Sequence, residues 1–215
     1  YFASHPDHYT ARMEAAFDII GKSNAYGIRT EFGWSKVETM MGDGADTFEY
    51  KKTDKNIHDK MKSYNLHLFP IFAFSSAGYM KTANDKFLPE TDKQLARWSQ
   101  AMEFIAKNTA GFADCIEIWN EPNIRAFNGG DGGASYDIYT PASGYAKAAI
   151  AACQAAKRGN PEIKTGIMSL ISIGAEETKA FFDEALEAGA AEYCDAITLH
   201  PYSALSADDA KTAEL

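Results

Sequence analysis

Short apolar runs alternate with longer stretches of helical period along almost the whole chain. Met13, Phe17 and Ile20 share one stripe behind Asp7, a capping residue, and predict a helix ending near Asn24. Gly27-Ile28-Arg29-Thr30-Glu31-Phe32 then reads as a strand. Ile57 and Met61, one helical turn apart, predict a short helix over 54–64, and 66–74 is a strongly apolar strand. Thr91-x-x-Gln94 has the form of a capping box. It opens a helix over 91–108 whose inner face is Leu95, Trp98, Met102 and Ile105. The rhythm continues with a strand over 115–120, an Ala-rich helix over 141–157 stopped by Gly159, and a strand over 163–170. A helix over 176–188 follows, with Phe181, Phe182, Ala185 and Leu186 inward and Gly189 as its stop, and then a strand over 196–199.

Strand–helix alternation of this kind implies parallel strands joined by right-handed crossovers. A doubly wound sheet and a closed barrel both satisfy it. No strand is followed by the Gly-rich turn of a nucleotide-binding sheet. The long polar segments, 35–53, 75–90 and 123–139, all follow strands, whereas the return 159–162 is terse. That asymmetry favours the barrel, whose active site is built from loops at the carboxyl ends of its strands. The Gly-rich stretch 128–133 leads into no helix directly and reads as a loop, not a phosphate cradle.

Composition narrows the function classes. The 215 residues are 46% hydrophobic and 24% charged, which fits one domain over 1–215 with a sizeable core. A net charge of -9 disfavours nucleic acid and anionic membrane as partners, since both require clustered Lys and Arg. No run reaches the about eighteen apolar residues of a membrane span. Cys115, Cys153 and Cys194 are widely spaced and form neither a zinc motif nor a disulfide framework. They read as buried thiols.

Strand parity concentrates chemistry on one axis. Ile116 and Ile118 belong against the helices, which directs Glu117, Trp119 and Glu121 into the lumen. Arg29 and Glu31 share one face of their strand, and Thr198 and His200 face in from the last one. Buried ionisable groups are expensive unless paired. An Arg29–Glu117 pair that merely plugs the barrel accounts for part of the group; Glu121, at the rim beside Asn120, asks for a functional explanation.

Glu117-Ile118-Trp119-Asn120-Glu121-Pro122-Asn123 resembles the strand-four signature of clan A glycoside hydrolases, with wording closest to families 5 and 39. Two further segments agree in order and spacing. The segment 27–38, with Arg29 and the following Trp34, looks like the clan's second strand, and Leu199-His200-Pro201-Tyr202 looks like its sixth. The resemblance implies a TIM (β/α)8 barrel, incomplete here: strands two to six, with strand one cut off and strands seven and eight absent. It implies a retaining hydrolase of O-glycosidic bonds in an oligo- or polysaccharide, needing no cofactor or metal. By the same resemblance Glu121 is the acid/base, and Asn120 bonds the sugar hydroxyl next to the anomeric carbon. His200 and Tyr202 border the site, Arg29 supports the nucleophile from below, and Trp34 either stacks on a sugar or packs beneath the rim. The nucleophile would be a glutamate ending strand seven, beyond Leu215, so the chain reads as a portion of a longer protein. An extracellular or cell-surface setting goes with that reading, and Phe127, Tyr136 and Tyr139 are expected to join Trp34 in a sugar-binding cleft. The residues leave open a barrel that binds carbohydrate without catalysis. A metal-dependent barrel using Glu31, Glu117 and His200 is the other alternative.

Overall fold

The computed structural model describes residues 15–39, 47–80, 85–130 and 135–202. Among these, five strands form the main sheet: β1 Gly27–Glu31, β2 His67–Phe72, β3 Cys115–Ile118, β4 Lys164–Ile171 and β5 Ala196–His200. Each strand pairs in parallel with the one that precedes it along the chain. This order decides between the two architectures. A doubly wound sheet reverses direction part-way through its strand order, whereas a barrel adds each strand beside the last. The sheet is a run of five consecutive barrel strands, with β1 and β5 at its edges.

Helices return the chain from each strand to the next. After α1 (residues 15–22), which leads into β1, they are α2 Lys52–Ser63, α3 Asp92–Asn108, α4 Ala142–Gly159 and α5 Glu176–Glu187. Asp7 and Met13, expected at the start of the first helix, lie outside the described residues. The capping box of α3 forms as its sequence predicts: Gln94 N–H donates to Thr91 Oγ1 at 3.3 Å and Thr91 N–H to Gln94 Oε1 at 3.0 Å. Trp98, Met102 and Ile105 are fully buried along α3. Small side chains let α4 approach it closely; a Cβ on Gly159 would lie 2.3 Å from the Glu103 carbonyl oxygen. At the end of α5, Gly189 takes φ 86°, the left-handed stop that its position suggested. Gly33 serves a close approach instead: a Cβ there would sit 1.9 Å from the Ala73 carbonyl oxygen, where the exits of β1 and β2 cross.

Alternation along β2 divides the two faces. Leu68, Pro70 and Phe72 are buried under the helices, and His67, Phe69 and Ile71 are half-buried on the lumenal side. Phe72 packs on Trp98 with ring centroids 3.9 Å apart, which ties the sheet to α3. On β5, Ile197 and Leu199, expected to pack outward against helices, are 41% and 47% exposed, and Leu199 borders the cavity beside Thr198 and His200. One feature had no clear sequence signal, an antiparallel pair of two-residue strands, Glu38–Thr39 with Thr47–Phe48, in the loop after β1.

Candidate active site at the carboxyl end of the sheet

Two backbone irregularities shape this end. β3 stops at Ile118 because Trp119 takes φ 69°, and Glu121 follows with φ 49°. Positive φ is an outlier for a bulky side chain and persists only when its surroundings enforce it. Trp119 is fully buried, 5.8 Å from Trp98 and edge-on to Phe74, and its indole N–H donates to the Phe127 carbonyl at 2.8 Å. Trp119 therefore leaves the lumen that simple alternation assigned to it, and Asn120 turns toward Arg29 instead. β4 breaks at the same level. Met168 and Ser169 have φ 85° and 48°, with a register shift between Met168 and Leu170. The phenol of Tyr145, buried on α4, spans both irregularities. It accepts the Met168 N–H at 2.7 Å and donates to the Ile118 carbonyl at 3.3 Å.

Arg29, Glu117, Asn120, Glu121 and His200 converge above the sheet. Arg29 Nε donates to Glu117 Oε2 at 2.5 Å, and its Nη2 reaches Asn120 Oδ1 at 3.3 Å and His200 Nε2 at 3.0 Å. His200 Nδ1 lies 2.7 Å from Glu121 Oε1. Ser169 Oγ donates to the other Glu117 oxygen at 2.6 Å. Burial pushes the Glu117 carboxyl up, but the bonds from Arg29 and Ser169 and the guanidinium charge outweigh it and hold it below its ordinary value. Glu117 is thus an ionised carboxylate with both oxygens occupied. Arginine has only donors, so the oxygen of the Asn120 amide must face Arg29, which leaves its NH2 to donate elsewhere. A cavity of about 590 Å³ opens beside the group, bordered by Arg29, Phe69, Glu117, Thr198, His200 and Tyr202. Cys115 also borders it, but burial and then the Glu117 charge raise its thiol to about 11, so it stays protonated and is a poor nucleophile. Among the described residues no three His, Cys, Asp or Glu side chains are arranged to hold a metal ion.

The other expected site residues are dispersed. Trp34 corrects the stacking alternative: it is fully buried, donates from Nε1 to Glu38 Oε2 at 2.5 Å and packs on Tyr79 and Trp98. It presents no face to a sugar and braces the rim from beneath. Tyr202 is 68% exposed and stands edge-on to His200 with centroids 6.0 Å apart. Phe127 stacks on Phe74 under the Lys86 ammonium, Tyr139 meets Phe87, and Tyr136 lines a separate groove with Phe181 and Glu184. These aromatics do not line one cleft. Glu31 ends β1 and is not among the groups bonded to Arg29, His200 or Glu121. Ser169 and Tyr145 were missed, the first because parity fails at a bulge and the second because it lies in a helix; no motif marks either.

No family model and no curated protein matches the sequence. Solved structures do match. A family 39 glycoside hydrolase from the gut symbiont Bacteroides cellulosilyticus WH2 aligns over 88% of this chain with a TM-score of 0.67 and 19% identity. The fold is that of part of a (β/α)8 barrel like those of such glycoside hydrolases. A family 39 β-xylosidase from Caulobacter crescentus aligns over 94% of the chain (TM-score 0.62, 18% identity). The family 39 enzyme from Xanthomonas axonopodis pv. citri aligns over 87% (TM-score 0.58, 18% identity). The chain spans only 35%, 45% and 37% of the respective lengths of those three proteins. At such identities the likeness concerns the fold, and the five strands β1 to β5 are a part of that barrel.

Proposed function

We propose that the chain carries the acid/base half of a retaining glycoside hydrolase acting on O-glycosidic bonds of an oligo- or polysaccharide. The observation that carries this reading is the convergence of Glu121, Asn120 and His200 at the carboxyl end of a parallel sheet, beside an open cavity. Glu121 is 6% exposed, which suits a carboxyl that must hand a proton to a leaving alkoxide and take one back from water. Asn120 donates from its amide to the hydroxyl beside the anomeric carbon. A retaining mechanism needs a second carboxylate about 5 Å from the first. Glu117, fixed by Arg29 and Ser169, is not that group; the nucleophile belongs beyond Leu215, outside the described residues. A polymeric substrate goes with an extracellular or cell-surface setting.

Glu121→Gln in the full-length protein tests the assignment. It keeps shape and hydrogen bonding but cannot transfer a proton, so turnover of a natural glycan should fall by about 10²–10⁴-fold. Aryl glycosides with good leaving groups need little protonation, and their first step should survive better. The intermediate should then accumulate as a burst that azide relieves, since azide needs no base. Intact glycan turnover in the variant would refute the role of Glu121. Glycan binding without turnover in the wild-type protein would favour a carbohydrate-binding barrel instead.

A further inference from the structure

Hydrogen-bond donors around His200 fix more than its position. A guanidinium offers N–H groups and no lone pair. The 3.0 Å contact between Arg29 Nη2 and His200 Nε2 is therefore a hydrogen bond only if Nε2 presents its lone pair. The proton of the neutral ring then sits on Nδ1, 2.7 Å from Glu121 Oε1. The competing arrangement is a doubly protonated ring donating from Nε2 to Glu117 Oε1. That separation is 3.7 Å, longer than a hydrogen bond, and the Nε2 proton would face the guanidinium directly. The shorter contact decides. Arg29 is 43% exposed, so the strand alone does not fix its head; Glu117 Oε2 does, at 2.5 Å from Nε, with Asn120 as the second anchor. The charged groups facing the ring are Arg29 from β1 and Glu117 and Glu121 from β3 and its exit.

We propose that Arg29, clamped by Glu117, is a positioning residue that selects the Nδ1–H tautomer of His200 and so aims a donor at Oε1 of Glu121. Which ring nitrogen carries the proton is set by the bond the other one makes, and here that bond comes from an obligate donor. The consequence for chemistry rests on the acid/base reading of Glu121. With Oε1 occupied by His200, the proton that Glu121 gives and recovers is carried on Oε2. The catalytic oxygen is thereby designated by a chain of three side chains beginning at Glu117.

The tautomer is measurable without any substrate. Long-range ¹H–¹⁵N correlation spectra of the full-length protein, labelled at histidine, distinguish a protonated ring nitrogen from one bearing a lone pair. The ring of His200 is identified by its loss in His200→Asn. At mildly alkaline pH the wild-type ring should show Nδ1 protonated in roughly tenfold excess or more, as expected for a bond from a charged donor. Arg29→Met should move the population toward the Nε2–H form, Arg29→Lys should restore Nδ1–H, and Glu117→Gln, which loosens the clamp, should give an intermediate ratio. A wild-type ring protonated on Nε2 overturns the proposal whether or not any variant folds, and so does a folded Arg29→Met protein with an unchanged ratio. If the tautomers behave as stated but Glu121→Gln spares glycan turnover, the acid/base reading fails and the positioning role of Arg29 stands.

Discussion

Replacing Arg97 by methionine should cost the protein about 3–5 kcal/mol of stability, the usual penalty for stranding one partner of a buried ion pair. Arg97 reaches from α3 to Glu38, just past the helical turn that follows β1, with Nη2–Oε1 at 2.5 Å and Nε–Oε2 at 3.0 Å. The two side chains are only 15% and 2% exposed, so water cannot take over the solvation of Glu38. Once Arg97 is gone, the indole N–H of Trp34 is the remaining contact to that carboxylate among the bonds described. Methionine keeps most of the apolar stem but gives up the guanidinium that lies over Phe48, 3.7 Å from its ring centre, a contact that adds about 1 kcal/mol to the loss. Against a total stability of about 5–15 kcal/mol the loss is large. The assay is equilibrium unfolding in urea, whose neutrality avoids screening the pair. Glu38→Gln in the Arg97→Met background removes the stranded charge and should recover about 2 kcal/mol or more, a coupling a double-mutant cycle resolves. A single-variant loss below about 1 kcal/mol, the range of exposed pairs, would show that Glu38 is solvated and that the bracing role given to Trp34 is wrong.

Two other expectations test the packing behind the sheet. Burial lowers His58 to about 4, beneath its ordinary 6.5. The unfolded chain therefore binds a proton in that window that the folded chain does not, and stability, full above about pH 6.5, should fall by up to about 3 kcal/mol as pH drops to about 4; His58→Gln should remove this part of the slope in urea titrations across that range. Tyr145→Phe strips the phenol that bonds Met168 N–H and Ile118 C=O, and two buried backbone groups left without it should cost about 2 kcal/mol or more, read by thermal or urea unfolding; a change of only a few tenths would mean that the sheet re-pairs without it.

The architecture was legible because it rests on period and order. Hydrophobic spacing located the five main strands and the helices α2 to α5 to within a few residues, and the capping box of α3 and the stop at Gly189 formed where their residues call for them. Arg29, Glu117 and His200 were likewise placed in the lumen by alternation alone, and the structure brings them within bonding distance. Trp119 was placed there wrongly and Asn120 was left out, because alternation assumes extended backbone throughout. One residue of positive φ exchanges their faces, and nothing in the letters Trp-Asn-Glu announces it. Trp34 illustrates a different failure. Its type suits both a sugar platform and a rim brace, and the choice is made by Glu38 and Arg97, the latter 59 positions from Glu38 along the chain.

The failures of alternation are not scattered. They fall at the exit of β3 and within β4, at Trp119, Glu121, Met168 and Ser169, on neighbouring strands at the same height. A regular β3 would have placed Asn120 among the helices and a regular β4 would have turned Ser169 with its strand, and Glu117 would then have lost one of its donors. Each break surrenders ladder bonds that buried backbone must recover elsewhere. The Glu121 N–H recovers one on the Ser169 carbonyl at 3.1 Å, and Tyr145 supplies both Ile118 and Met168. Compensation this local is what a fold needs to hold strained backbone permanently, and strain of this kind concentrates where side chains must be aimed against the sheet's own geometry. The irregular backbone thus points to the same end of the sheet as the carboxyl of Glu121 does: the break after β3 sets Asn120 on Arg29, and the break in β4 sets Ser169 on Glu117, so two adjacent strands bend about one Arg29–Glu117 pair.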